Sequence, residues 1–227
     1  MLVTPLLRGV FGWEPDAVEG RARLAPQLPP DWPAATVTRL KVGATTLNME
    51  VRQVWETERG EQRLLIRSEG PPLELEILPN TPIGAAAVEV DIELGGTAEP
   101  VRRASRRAAE GAGPSPIAIR ITEGQLAEIV ITWEGGLAVA PPRIDLEPGQ
   151  RSTGLRIIDL ETTGDGWLLT IEGTAGYEYD MRTFGTAVQV QVAEGAIAAT
   201  STGDDLRVTF SEGDGRVTAR VRLRPGE

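Results

Sequence analysis

Regular alternation of apolar and charged residues over most of the chain limits this protein to a sheet-based fold. The segment "LELEIL" at 73–78 is the clearest case, because glutamates separate its aliphatic residues. Successive side chains of a strand point to opposite faces, so the pattern predicts strands with one buried and one solvated face. Such strands, joined by short glycine-containing turns, are typical of antiparallel sandwiches and barrels.

This period of two recurs in two blocks. The first block predicts strands at 34–42, 45–56, 63–68, 73–78, 87–94, 99–105, 116–122 and 128–134. The second block predicts strands at 155–162, 167–173, 177–183, 187–194, 206–211 and 216–223. A proline-containing linker at 136–154 lies between them. We therefore predict a mainly β fold with two antiparallel β-sandwich units, at 34–143 and 144–227; one larger sandwich is the alternative.

The first 33 residues differ from both blocks and are predicted as a separate segment. Apolar residues recur at helical spacing over the first thirteen positions, which predicts a short amphipathic helix. A helix this short is marginal alone in water, so its apolar face needs a cover. We expect that face to form a partner interface, made of Leu2, Leu6, Leu7, Val10 and Phe11.

The stretch "RLAPQLPPDWP" at 23–33, which we call the strap, carries prolines among large apolar residues. Proline lacks the amide donor of a strand ladder and disfavours helix at the preceding residue. The strap is therefore predicted to run extended, with Leu24, Leu28 and Trp32 as its anchors.

Composition excludes several functions. The chain has no Cys and no His, which removes disulfides, zinc–thiolate sites, histidine ligands and histidine-based triads. Its net charge of −10 argues against nucleic acid and anionic membranes as partners. No apolar run reaches the length of a membrane span, and the N-terminus lacks the features of a signal peptide, so we expect a soluble protein. No cofactor or metal is expected.

Two charged motifs have a chemical and a structural interpretation. Glu14 and Asp16 form a carboxylate pair of the kind glycosidases use, but Pro15 between them favours one exposed turn. The basic run "RRASRR" at 102–107 could bind phosphate or an acidic sugar. Its structural interpretation is a solvated edge hairpin whose charges resist aggregation. Neither motif defines a catalytic residue, so none is predicted.

Aromatic residues are few, and half of them are tryptophan, with five in the chain. Flat aromatic faces stack on sugar rings, and the same residues also fill cores and domain interfaces. We predict Trp13 and Trp32 as binding residues. The other candidates for sugar stacking are Trp55, Trp133, Trp167, Tyr177 and Tyr179.

Residues 2–53 resemble the end of the barrel and the start of the sandwich in six-hairpin, (α/α)-barrel glycosidases, notably bacterial glycogen-debranching, amylo-α-1,6-glucosidase-like proteins. The resemblance rests on the turn at 12–16, the strap motif at 24–32 and the hairpin start at 37–43. It implies that the strap leads from a catalytic barrel into a C-terminal β-sandwich. It also implies that the catalytic carboxylates belong to a barrel outside this chain, so that this chain is not an enzyme on its own.

Three functions follow in order of preference. The first is a non-catalytic C-terminal β-sandwich portion of a glycoside hydrolase, which braces or caps an (α/α)-barrel catalytic domain or chain. The second is a free-standing carbohydrate-binding module for an oligo- or polysaccharide. The third is a β-sandwich interaction or assembly protein without a sugar role.

Overall fold

The computed structural model describes residues 3–95, 102–107, 115–144, 147, 149 and 152–226. These residues confirm the predicted fold class, with β-strands throughout and one short N-terminal helix. They form two compact units. Unit 1 contains the described residues up to 55, with 59–81 and 85–134; unit 2 contains 56–58, 82–84 and the described residues from 135 onward. The predicted division of the chain into 1–33, 34–143 and 144–227 stays a prediction.

The elements up to the end of β10 belong mostly to unit 1. They are α1 (Val3–Val10), β1 (Glu14–Asp16), β2 (Arg21–Leu24), β3 (Ala34–Val42), β4 (Thr45–Glu56), β5 (Arg59–Glu69), β6 (Leu73–Ile77), β7 (Ile83–Gly95), β8 (Arg102–Arg107), β9 (Ile117–Ile121) and β10 (Leu126–Ala140). The remaining strands belong to unit 2. They are β11 (Arg156–Thr163), β12 (Gly166–Thr174), β13 (Glu178–Gly185), β14 (Val188–Glu194), β15 (Ala196–Thr202), β16 (Asp205–Phe210) and β17 (Arg216–Pro225).

Two layers of strands enclose the core of unit 1. One sheet has the order β1-β2-β6-β9, in which β2 and β6 run parallel and the other two ladders are antiparallel. The other layer has the order β3-β4-β5-β10, and β7 pairs with β10 and with β8. Between the layers lie aliphatic side chains that alternate with exposed ones, such as Leu24, Leu75, Ile66 and Ile129, which are all fully buried. Burial of each contributes about 1.5–3 kcal/mol, so the inward half of the alternation stabilises the sandwich directly.

Unit 2 repeats this plan with a second core. One sheet has the order β11-β12-β17-β14, and the opposing layer contains β13, β16 and β15. Phe210, Leu169 and Val221 are fully buried in the core of this unit. Strand β10 contributes to both units, because residues 126–134 pair with β5 and residues 137–140 pair with β13.

Residues 136–140 and 196–202 differ from the sequence-based predictions. Residues 136–140 belong to β10 rather than to a linker, since the apolar residues of this stretch continue the strand. Strand β15 was not predicted, because its alanines and threonines make a weak apolar alternation. The short strands β1 and β2 lie in the segment that was predicted to run extended, as a strand edge or strap. Helix α1 ends at Val10, and Gly12 follows it with a φ of +56°.

Candidate functional site

Helix α1 is joined to unit 1 by backbone hydrogen bonds at its C-terminal end. The amide of Trp13 donates to the carbonyl of Leu7 at 3.0 Å. From the strap, the amides of Ala25 and Gln27 donate to the carbonyls of Phe11 and Val10 at 3.1 and 2.7 Å. The last carbonyls of a helix have no partner within it, so the strap supplies the missing donors.

Gly12 allows the chain to leave the helix at this junction. Its φ is +56°, the left-handed conformation common after helix ends. A Cβ at this position would lie 2.6 Å from the Cβ of Ala25, which is far inside van der Waals contact. The close approach of helix and strap therefore needs glycine for its conformation and for its small size.

The predicted partner interface divides between the core and the solvent. Phe11 is buried, and Leu7 and Val10 are half-buried against the core of unit 1. Leu6 is 49% exposed, and Leu2 lies outside the described residues. The chain itself thus covers much of the face that was expected to need a partner, and Leu6 is the described residue that stays accessible.

The strap is anchored differently from the prediction. Leu24 and Leu28 are buried as expected, but Trp32 is 36% exposed. The side-chain amide of Gln53 anchors this part of the strap, because it donates to the carbonyls of Pro29 and Trp32 at 2.5 and 2.8 Å. This clamp holds the backbone of the turn, so the indole does not have to be buried to fix it.

The structure places the other predicted binding residue in the interior. Trp13 is 5% exposed and lies in the core of unit 1, which leaves no ring face for a ligand. Trp133 and Trp167 are also buried, and Trp55 packs edge-on against Trp133 with ring centroids 5.4 Å apart.

Tyrosine behaves differently in unit 2, where Tyr177 is 47% exposed and stacks on the buried Tyr179. Trp32 and Tyr177 are therefore the described aromatic residues with the most accessible rings.

The outward face of the sheet β1-β2-β6-β9 carries a depression of about 500 Å³. Six charged side chains line it, and we call it the charged depression: Glu14, Asp16, Arg21, Arg23, Glu74 and Glu76. The strand register arranges them in two rows. The first row is Glu14, Arg23, Glu76 and Ala118, and the second is Asp16, Arg21, Glu74 and Arg120. Acidic and basic residues thus alternate from strand to strand.

Ion pairs connect Arg21 and Arg23 to acidic residues of their rows. Arg21 lies 3.0 Å from Asp16, whereas Arg23 is shared between Glu14 and Glu76 at 3.9 Å each. The backbone amide of Glu19 and the Arg21 guanidinium hold the pKa of Asp16 below its usual range. A carboxyl group with a lowered pKa is ionised near neutral pH and has no proton to donate. Asp16 is therefore held as an ionised member of an ion pair with Arg21, and Glu14 pairs with Arg23 in the neighbouring row.

Strand β8 contains the basic run. The register places Arg103 opposite Glu93 and Arg107 opposite Glu89 of β7. Residues 102–107 therefore form an antiparallel hairpin with β7, which agrees with the hairpin part of the structural interpretation.

Two further features are absent from the described ranges. No group of three or more Asp and Glu residues there has the arrangement of a metal site. No helix among the described residues is long and apolar enough to span a membrane.

Sequence reasoning missed the residues that complete these sites. Alternation marks Arg21, Arg23, Glu74 and Glu76 as outward-facing, but only the parallel pairing of β2 with β6 brings them together. Gln53 is a polar residue at an inward position of β4, a signal that indicates a buried hydrogen-bonding role.

Comparison with known proteins adds little to the class defined above, a mainly β protein with two sandwich units. No protein-family model and no curated protein matches the chain. One similar solved structure is wild-type BuGH86 in complex with neoagarooctaose, at 10% identity and a TM-score of 0.27, with 76% of this chain and 33% of that chain covered. Another is BpGH86A, a β-porphyranase of glycoside hydrolase family 86 from the human gut bacterium Bacteroides plebeius. It gives 8% identity and a TM-score of 0.25, with 78% of this chain and 37% of that chain covered.

This chain thus spans about a third of the length of the structures it matches. A likeness this weak supports no conclusion about activity. The resemblance of residues 2–53 to six-hairpin glycosidases stays a prediction.

Proposed function

We propose that this chain is the non-catalytic β-sandwich portion of a glycoside hydrolase and that it supports an (α/α)-barrel catalytic domain. The observation that carries the proposal is the attachment of helix α1 to unit 1. The strap caps the end of the helix with two backbone hydrogen bonds, and Phe11 is buried in the core. A helix fixed in this way is a rigid connection between the sandwich and whatever packs on its free side.

The exposed part of the helix supports a partner of apolar character. Leu6 is 49% exposed, one position from Leu7, which is packed on unit 1. The final helix of an (α/α)-barrel packs against neighbouring helices through such residues. The resemblance of residues 2–53 to the barrel–sandwich junction of six-hairpin glycosidases points to the same partner.

The ion pairs of the charged depression support a non-catalytic role for its carboxylates. Glycoside hydrolysis needs one carboxylic acid with a raised pKa beside one carboxylate. In the charged depression the pKa of Asp16 is lowered, and Glu14 and Glu76 share Arg23. This arrangement suits binding better than proton transfer.

The native size of the protein tests the proposal. An antibody against this chain would precipitate it from its source cells, and the intact mass of the precipitated species would be measured. We expect a polypeptide or complex that contains an (α/α)-barrel glycosidase. A mass of 24.3 kDa without a co-precipitating barrel would contradict the proposal, as would hydrolysis of α-glucans by the purified chain.

Substitution of Leu6 tests the helix as the contact. We expect Leu6→Arg to weaken the association with the barrel, because it places a charge in an apolar contact. Val18→Arg is the matched control, since Val18 is 93% exposed in a turn of the same unit. Equal effects of the two substitutions would show that α1 is not the contact.

A second candidate function is carbohydrate binding at Trp32. The accessible indole sits on a backbone that Gln53 holds rigid, as a stacking platform requires. We expect tryptophan fluorescence to change on addition of maltoheptaose and the change to vanish in Trp32→Ala. Tyr177→Ala is the control, because it removes an exposed ring from unit 2. A fluorescence change that survives in Trp32→Ala would exclude this site.

A further inference from the structure

We propose that the charged depression of unit 1 is a binding site for a neutral, polyhydroxylated ligand such as a short oligosaccharide. The site lies on the outward face of the sheet β1-β2-β6-β9 and does not include Trp32. The inference goes beyond a supporting role, since it needs neither a barrel nor helix α1.

Size and construction suit a small ligand. The depression of about 500 Å³ lies within the range of roughly 300–1,000 Å³ that is usual for ligand pockets. Its charged side chains come from three neighbouring strands, β1, β2 and β6, instead of from loops. Strand pairing fixes the backbone positions from which these side chains extend before a ligand arrives, which lowers the entropic cost of binding.

The order of the charges selects the kind of ligand. Along each row a carboxylate, a guanidinium and a second carboxylate follow one another at the spacing of adjacent strands, about 4.8 Å. Carboxylates only accept hydrogen bonds, and guanidinium groups only donate them. The lining holds four carboxylates and two guanidinium groups, so an anion meets the carboxylates, a cation meets the guanidinium groups, and neither finds a lining of opposite charge alone. A hydroxyl group both donates and accepts, so a polyol satisfies both kinds of side chain.

The ion pairs of the first row can be replaced by hydrogen bonds to a ligand. Arg23 stands 3.9 Å from Glu14 and from Glu76, the limit of an ion pair, and all three side chains are about half exposed. Exposed pairs of this kind contribute little to stability, so their replacement by ligand hydroxyls costs little. In the neighbouring row the contact is shorter, since Arg21 donates a hydrogen bond to Asp16 at 3.0 Å.

Ala118 provides the space. It is an exposed position of β9 directly opposite Glu76, where a long side chain would cover the end of the row. With a methyl group at this position, the face of the sheet stays open beside the carboxylate of Glu76. Ala118→Leu should therefore fill the depression without changing any charge.

The experiment is an NMR titration of the full chain with maltoheptaose, xylohexaose and the polyamine spermine, read as amide chemical-shift changes. We expect saturable shifts with at least one oligosaccharide, confined to β1, β2, β6 and β9. Ala118→Leu and Glu76→Gln should each weaken that binding roughly tenfold or more, as expected when a charged hydrogen-bond partner or the space for the ligand is lost.

Ala34→Leu is the matched control, because Ala34 is also an exposed alanine on a strand of unit 1. It should leave the affinity unchanged. Shifts centred on Trp32 or Tyr177, shifts with spermine alone, or no shifts with either oligosaccharide would each overturn the proposal. The native mass measured for the proposed function is independent of this titration, so the two proposals fail separately.

Discussion

The contact between Gly60 and Trp133 gives the sharpest test of the packing in unit 1. The two residues are directly opposite each other on β5 and β10, and the indole of Trp133 covers the glycine. A Cβ at Gly60 would lie 2.6 Å from Nε1 of Trp133 and still closer to two ring carbons. Non-bonded heavy atoms normally stay about 3.5–4.0 Å apart, so alanine at this position overlaps the ring by roughly 1 Å.

The ring has little freedom to move away. Trp133 is 2% exposed, and the ring of Trp55 packs against it at an interplanar angle of 68°. Insertion of a methyl group into a well-packed core costs about 1–3 kcal/mol. Because the overlap is with a rigid bicyclic ring, we expect Gly60→Ala to destabilise unit 1 by about 3 kcal/mol, the upper end of that range.

Urea denaturation followed by tryptophan fluorescence measures this cost, and Trp133→Leu shows its origin. In the Trp133→Leu background we expect the effect of Gly60→Ala to fall below about 0.5 kcal/mol, because the overlapping ring is gone. Gly95→Ala is the control, since a Cβ at Gly95 meets no atom within 4 Å. An equal cost of Gly60→Ala in both backgrounds would refute the steric explanation.

Two further predictions concern unit 2. Tyr179→Phe should destabilise it by about 1–3 kcal/mol in the same urea assay, because the hydroxyl donates to the carbonyl of Thr153 at 2.5 Å and accepts from the amide of Thr174 at 2.9 Å; an unchanged midpoint would contradict a role for this hydroxyl. The hydrogen bond from Arg224 lowers the pKa of Asp165 in the folded protein. The ionised carboxylate therefore stabilises the fold fully above the unfolded pKa of about 3.9, and this stabilisation is lost as pH falls through the lower folded pKa. Asp165→Asn should therefore show a smaller loss of stability below pH 4 than the parent protein, and parallel pH profiles would contradict this.

The sequence predicted the strands well where one face of the strand is exposed to solvent. In β6 the alternation from Leu73 to Ile77 determines which side chains are buried, and the structure has the same pattern. Such a pattern is local, since burial at period two requires only a strand and a nearby core. The class of the fold follows from many such segments and needs no knowledge of which strands pair.

Prediction was less successful where the outcome depends on the pairing partner. Trp32 was expected to be buried, but the amide of Gln53, from a different strand, fixes the turn and leaves the indole accessible. Likewise, Trp13 has the appearance of a binding residue in a turn, and the core of unit 1 encloses it. The burial of these two residues is decided by neighbours distant in the sequence.

The residues of this chain alone determined its β character, its amphipathic first helix and the absence of histidine and cysteine chemistry. Only the tertiary structure decided that Arg23 stands between Glu14 and Glu76, with Ala118 at the end of the row. The physical reason is that periodicity specifies the face on which a side chain lies, whereas strand order and register specify its neighbours. The charged depression consists of such neighbours, so it exists only once β1, β2, β6 and β9 have assembled.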